Sequence, residues 1–279
     1  MNQAESRNTL NDPTAYSEFY EQLGQKYPES MIVHGNRRIG TRYWTILSEL
    51  MPFAKQGASL LDLGCNDGVY TIPYCVEGGN GLGIDISKTL VDRASHKAKE
   101  LSLDCSFMQA EIDSAVFPTL FTRKFDVALL SEVLEHLSNP DTALRNINNA
   151  LKNGGLFILS TPTPFGIAPL SPHYIGDALA GNKLVERHQI DTSKVEILRH
   201  YEISRFLYRH DGYYPRALKK YLRNFGFRCD KFYTIEFIRI VRKSLMPFKI
   251  VGVKTELWAR RIPLLNMLGS TNIAICRKM

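Results

Sequence analysis

Leu60–Tyr70, LLDLGCNDGVY, is an apolar run that enters a glycine turn and leaves it as a helix-like segment. Such a turn lets the backbone pass close to a ligand, because glycine has no side chain and accepts positive φ. Gly64 and Gly68 are the two such positions. Asn66, between them, is one of the few other residues that tolerate the left-handed region. The helix that follows presents unpaired N–H groups at its start. Working outward, GLGID ends on Asp85, 23 positions after Asp62. An acid at the end of the second strand can accept both hydroxyls of a ribose, the recognised companion of a glycine loop. Asp62 and Asp85 could instead be turn-capping carboxylates, but their register with the loop favours a nucleoside site. A dinucleotide fingerprint would need glycines at 66 and 69, where Asn66 and Val69 stand, so the dinucleotide reading fails.

Around this stretch short apolar runs alternate with helical ones. Strands are predicted at Ser59–Leu63, Gly81–Ile86, Cys105–Met108, Phe125–Leu130 and Leu156–Ser160, with helices over Ser87–Leu101 and Asp141–Leu151. That rhythm predicts βαβ units, a parallel sheet and an α/β fold. Asp141 reads as an N-cap after Pro140, and Asn153-Gly154-Gly155 as the turn into the next strand. Before the loop, residues 14–27 and 37–53 have helix-like apolar spacing, the second through Ile39, Tyr43, Ile46, Leu47 and Leu50. We therefore expect an N-terminal helical cap over 1–56 and a catalytic domain over 57–279. Residues 161–213 hold Pro162, Pro164, Pro169 and Pro172 and read as a long irregular insertion, a lid over a binding site. A helix at Pro215–Phe225, a turn at Gly226, a strand at Arg228–Phe237 and a final strand at Thr271–Cys276 complete the pattern.

With 279 residues, 44% of them hydrophobic and 23% charged, the chain can bury a sizeable core. No apolar run reaches the ~18 residues of a membrane span, and no secretory signal is read at the N-terminus. The plain expectation is a cytoplasmic protein. Five scattered cysteines with no CxxC pair indicate free thiols, without a disulfide framework or zinc cluster. The net charge of +7 is uneven: 14 Lys/Arg against 20 Asp/Glu in residues 1–179, then 21 against 8 in 180–279. A solvated basic surface explains this most simply. It also leaves room for an anionic partner such as a phosphorylated substrate, a lipid headgroup or RNA.

The D-L-G-C-x-x-G form resembles motif I of the class I S-adenosylmethionine (SAM)-dependent methyltransferases. The likeness continues through FDVALLSEVLEHL (Phe125–Leu137) and LKNGGLFILSTPTP (Leu151–Pro164), which resemble the family's fourth- and fifth-strand motifs. What the resemblance implies is a Rossmann-like, seven-stranded, mostly parallel sheet with helices on both faces and an antiparallel last strand. Its cofactor would be SAM. Asp62, Gly64, Cys65, Asn66 and Gly68 would surround the methionine portion, and Asp85 and Ile86 the ribose and adenine. Glu111 and Ile112 would meet the adenine edge, although Ala110-Glu111 stands where the family more usually has Gly-Asp. Ser131 would lie near the amino acid portion.

Methyl transfer from a sulfonium needs mainly alignment, with a general base when the acceptor is a hydroxyl. Glu132, Glu135 and His136 follow the fourth strand, and on a helical turn the two acids would share a face with His136 beside them. His136 is the catalytic candidate. Similar E-x-x-E-H segments hold a divalent metal in ubiquinone-pathway O-methyltransferases and in small-RNA 2′-O-methyltransferases, so Mg²⁺ is a candidate here, with His200 as a further ligand. The resemblance would allow one of Arg37, Arg38 and Arg42, ahead of the first strand, to lie near the cofactor carboxylate; each of them reads first as part of a solvated helix face. The basic, aromatic-interleaved stretch 237–268 is either a helix covering the sheet edge or a peripheral contact with anionic lipid. The expected partner is a small-molecule acceptor, sugar- or lipid-linked, methylated on oxygen before nitrogen. Tyr174, Tyr201, Phe206, Tyr208, Tyr213 and Tyr214 would suit a ring or sugar face. RNA methylation and a non-catalytic binding module are the alternatives.

Overall fold

The computed structural model describes Glu21 and residues 37–120, 122, 124–164, 180–181, 183–191, 207–235 and 269–279. In chain order these form α1 (Arg37–Ala54), β1 (Ser59–Leu63), α2 (Thr71–Val76), β2 (Asn80–Asp85), α3 (Lys88–Glu100), β3 (Cys105–Gln109) and β4 (Phe125–Ser131). There follow α4 (Pro140–Ala150), β5 (Leu151–Pro162), β6 (Val185–Asp191), β7 (Leu207–Tyr213), α5 (Pro215–Asn224), β8 (Phe227–Ile235) and β9 (Thr271–Lys278). The seven-stranded sheet has the order β3-β2-β1-β4-β5-β9-β8. The first five strands are parallel, and β9 inserts antiparallel between β5 and β8. The order reverses beside β1, so the carboxyl ends of β1 and β4 flank a crevice where such sheets bind ligands.

Alternation along the central strands explains the helices on both faces. Leu61, Leu63, Ala128, Leu130, Phe157 and Leu159 point to one side and pack with Ala143, Leu144 and Ile147 of α4 and Leu218 and Leu222 of α5. Leu60, Val127, Leu129, Leu156 and Ile158 point to the other, against Ile46, Leu47 and Leu50 of α1 and Tyr74 of α2. Strands buried on both faces must be apolar throughout, which is why β1 reads as a continuous run.

Three local expectations are corrected. The N-cap of α4 is Asn139, whose side chain accepts from the Thr142 N–H at 3.1 Å. Pro140 takes the first helical position, where its missing N–H costs nothing and its φ is already helical. Strand β5 begins at Leu151, so Asn153-Gly154-Gly155 lies inside a strand, with a register shift against β4 and Gly154 at φ +73°. The 161–213 stretch is not wholly irregular: β5 runs on to Pro162, and β6 and β7 pair antiparallel as a separate two-stranded ribbon. The expected helix at 14–27, apart from Glu21, and the stretch 237–268 lie outside the described residues.

Candidate active site

The glycine turn is built by backbone. The N–H groups of Gly64 and Cys65 both donate to the Ile84 carbonyl, at 2.7 and 2.9 Å, tying the end of β1 to the end of β2. Gly64 (φ +75°), Asn66 (φ +53°) and Gly68 (φ +86°) take left-handed conformations within five residues. A Cβ on Gly64 would stand 2.3 Å from Cγ2 of Val133, so this glycine also lets the loop after β4 close onto the turn. That contact joins the start of the Glu132–His136 segment to the glycine turn through Val133.

Asp85 is buried, and its two oxygens each accept one backbone N–H: Asn66 at 2.8 Å and Ser87 at 3.0 Å. Each carboxylate oxygen retains acceptor capacity for a further donor. Burial pushes the Asp85 carboxyl up, against the pull of the Ser87, Asn66 and Ile86 N–H groups. Ile86 is half-buried beside it and its carbonyl accepts from the Gln109 side chain at 3.0 Å. The Ala110 N–H donates to the Asp85 carbonyl at 3.1 Å. Glu111 is therefore near this edge and exposed, while Ile112 turns inward to the core. Cys65 is buried, and its thiol donates to the Asn66 carbonyl at 3.4 Å. Asp67 pairs with Lys97 of α3 at 2.7 Å, bracing the loop from behind.

Asp62 is 1% exposed and accepts from the Thr71 hydroxyl at 2.7 Å. Burial, with Asp85 adding to it, pushes its carboxyl up to about 7 despite that hydrogen bond. The adjoining Tyr70 is buried and hydrogen-bonds Ser131. Ser131 lies 3.0 Å from the Ser160 hydroxyl on β5, and Ser160 donates to Glu132 at 3.1 Å. The rim of β1, β4 and β5 is thus one connected polar layer.

The E-x-x-E-H segment is not a helical turn from Glu132 onward. Glu132 sits at φ +56°, a conformation non-glycine residues adopt only when the surroundings impose it. Its carboxylate meets the Arg42 guanidinium at 2.9 Å. Arg42 is half-buried by α1 over this rim and not on a solvated face. Its place in the helix carried the signal: 42 falls in the apolar row with 39, 43, 46 and 50. The side chains of Arg37 and Arg38 lie outside the described residues.

Glu135 lies within a short 3₁₀ turn over Leu134–His136. Glu135 is 1% exposed, and the Thr161 hydroxyl donates to its Oε2 at 3.0 Å. Burial, reinforced by Glu132, raises its carboxyl well above the usual range. Its Oε1 has no hydrogen bond and lies 3.8 Å from His136 Nε2; the His136 side chain is 18% exposed. Among the described residues no group of three or more His, Cys, Asp and Glu stands together as a metal site. His200, Tyr174, Tyr201 and Phe206 lie outside the described residues, as do the side chains of His188, Tyr208 and His210.

Sequence reading did not single out Tyr70, Thr71, Ser160 or Thr161. Only the Ser/Thr clustering at the ends of the apolar runs marked them. It also missed Glu21, whose carboxylate accepts from the Ser87 hydroxyl at 3.0 Å, the Thr89 N–H at 3.3 Å and the Thr89 hydroxyl, at the start of α3 beside Asp85.

Residues 35–231 match the family model described as a methyltransferase domain, and the chain belongs to that family. The domain is of the class I, SAM-dependent kind. The chain is 30% identical over 102 residues to a ubiquinone biosynthesis O-methyltransferase of Rickettsia akari (strain Hartford), covering 37% of this chain and 39% of that one. It is 30% identical over 175 residues to the protein of the same name from Maricaulis maris (strain MCS10), covering 58% and 67%. It thus spans about two fifths of the length of the first curated relatives it matches. Among solved structures it resembles the magnesium protoporphyrin IX methyltransferase of Synechocystis PCC 6803 with bound SAH (TM-score 0.57, 15% identity, 96% of this chain and 100% of that one). It also resembles a SAM-dependent methyltransferase of Mesorhizobium loti (TM-score 0.56, 18% identity, 84% and 97%). These likenesses carry the fold.

The residues present fit SAM. Asp62 and Asp85 are both buried and both raised, so a ligand with a sulfonium and an ammonium would relieve their repulsion and the cost of burying charge. Asp85, at a strand end with spare acceptor capacity on both oxygens, suits two ribose hydroxyls.

Proposed function

We propose that the protein transfers a methyl group from SAM to an oxygen of a small-molecule acceptor, sugar- or lipid-linked, with nitrogen as the second choice of atom. The observation that supports this is the packing of Val133 on Gly64, which joins the loop after β4 to the glycine turn; three residues on, His136 is partly exposed, with the buried Glu135 carboxyl 3.8 Å away. SAM supplies an activated methyl on a sulfonium, so the protein's work is alignment and, for a hydroxyl acceptor, removal of a proton. Gly64, Cys65, Asn66 and Gly68 shape the turn around the methionine portion. Asp62 takes its ammonium, with Ser131 nearby. Asp85 and Ile86 hold the ribose and adenine, and Glu111 and Ile112 lie toward the adenine edge. His136 accepts the acceptor's proton at its imidazole. Glu135 steadies the resulting imidazolium, and Thr161 holds that carboxyl in place.

Residues 1–56 act as the cap, and 161–213 as the lid over the acceptor. Contacts at both edges support this. Glu21 reaches the start of α3, and Arg42 reaches Glu132. The Tyr213 hydroxyl, at the end of β7, donates to the Leu134 carbonyl at 3.5 Å. The oxygen acceptor is supported by the curated relatives, which are named O-methyltransferases. The test is methyl transfer from isotopically labelled SAM to catechols, polyprenylated phenols and glycosylated metabolites, with the product atom located by NMR. Transfer to a phenol that His136→Ala loses would support the reading; turnover unchanged in that variant would overturn the role of His136.

One observation favours RNA as a second reading. The outer face of α5 exposes Arg216, Lys219, Lys220 and Arg223, and the helix contains no acid. RNA binding that falls steeply with salt would support it, and salt-independent or absent binding would remove it. Among the described residues no helix is long and apolar enough to cross a membrane.

A further inference from the structure

Cys229 of β8 and Cys276 of β9 are partners across antiparallel strands, next to a register shift between Cys229 and Lys231. Facing residues of an antiparallel pair have Cα atoms about 4.5–5.5 Å apart at either kind of ladder position. A disulfide spans Cα separations of about 4.4–6.8 Å. The backbone therefore already holds the two residues at bridging distance. Both side chains lie on the same sheet face, Cys276 fully buried in the core and Cys229 half-buried at its margin, and their thiols hydrogen-bond to each other. Among the described residues Cys75 and Cys105 also share a hydrogen bond. They sit on α2 and β3, however, where no strand register sets their separation.

We propose that Cys229 and Cys276 form a reversible dithiol–disulfide site, oxidised by a peroxide. The two thiols are not equivalent. The Cys276 hydrogen bond, helped by the nearby Lys219 ammonium, lowers the Cys229 thiol against the effect of its burial, whereas Cys276 is raised by that hydrogen bond and by burial. Cys229, half-buried at the margin, is the sulfur a peroxide can reach, so it is the attacking thiol, and the fully buried Cys276 is the resolving one. The Cys229 thiolate attacks a peroxide oxygen and the O–O bond breaks. With hydrogen peroxide this leaves a sulfenic acid on Cys229 and, after protonation, one water. The Cys276 thiol then attacks the sulfenic sulfur; the S–O bond breaks, the thiol proton leaves with the hydroxyl as a second water, and the S–S bond forms. Two thiols lose two electrons and the peroxide gains them. A small thiol reverses the step by exchange. Cys65 is the contrast: burial and the carboxylates of Asp62 and Asp85 hold its thiol well above the usual range, so it stays inert.

Register places the bridge away from the chemistry. Cys276 pairs with Phe157 on β5, while the catalytic rim begins at Ser160, which pairs with Ile273. Oxidation should therefore staple β8 to β9 and leave SAM affinity within about twofold. The test treats the full chain with hydrogen peroxide near equimolar amounts, blocks remaining thiols, and maps peptides by mass spectrometry. The expected result is a Cys229–Cys276 linked peptide within one chain, two fewer titratable thiols out of five, and full return on reduction. Cys276→Ser should stop at a Cys229 sulfenic acid that dimedone traps. Cys229→Ser should protect Cys276, with thermal melts confirming that both variants fold. A link between Cys75 and Cys105 instead, a bridge only between chains, or over-oxidation of wild-type Cys229 with no linked peptide would each overturn the proposal.

Discussion

The cofactor side and the acceptor side of the rim are made differently. Around the glycine loop the decisive contacts are local: Thr71 to Asp62 spans 9 residues and Asn66 to Asp85 spans 19. Around the acceptor side they are distant. Thr161 to Glu135 spans 26 residues, Tyr213 to Leu134 spans 79, Thr163 to Gly269 spans 106 and Asn272 to Pro162 spans 110. In the proposed function the first side would hold SAM with backbone and two acids. The second assembles a pocket from segments that meet only once the sheet has closed. Substitutions should therefore separate cleanly into those that change SAM binding and those that change turnover.

The largest expected effect tests the acceptor side. His136→Ala should lower kcat by about 10²–10⁴-fold, as for loss of a general base, with the dissociation constant for SAM unchanged by calorimetry. If SAM affinity falls in parallel, the two sides are not separable. Next, Asp85→Ala should weaken SAM about 10–100-fold, the loss expected when hydrogen bonds to a charged group worth about 1.5–3 kcal/mol are removed. Binding unchanged in a well-folded variant would move the ribose away from β2.

Asp62 sharpens the comparison through pH. In the free protein its carboxyl is raised to about 7, and a cationic ligand binds the deprotonated form. SAM affinity should therefore fall by up to about tenfold per pH unit below 7 and level off above it. Asp62→Asn should bind weakly with no such dependence. The sign for stability is the opposite. A raised folded pKa favours the native state at low pH, and that advantage is lost as pH rises through 7. Without SAM, Asp62→Asn should then melt above the wild type at pH 8, measured by calorimetry. The smallest effect is at the cap: Glu21→Ala should cost about 1 kcal/mol, as for a helix cap, seen as a melting point a few degrees lower. It should leave turnover at saturating SAM intact.

Legibility follows the same division. The glycine turn could be read from residue type and spacing, because a turn at a strand end constrains neighbours in sequence, and Gly64, Asn66 and Gly68 all take positive φ there. The reading of Arg42 as solvated failed because three arginines in a row of six residues look like a charged surface, although the helical phase of 42 is apolar. The E-x-x-E-H segment kept its spacing but lost its helix to the left-handed turn at Glu132. The ribbon of β6 and β7 was hidden because its strands, VERHQID and LYRHDGY, are polar and lack the apolar run of a core strand.

Sequence by itself determined the class of fold and the glycine turn that ends β1, since these depend on short-range backbone geometry and on strands buried on both faces. Only the tertiary structure decided that Arg42 holds Glu132, that Glu135 is a buried carboxyl behind His136, and that Cys229 faces Cys276. Each of those depends on which distant segments the closed sheet brings together and on how much water it leaves between them, and neither quantity is written in the spacing of residues along the chain.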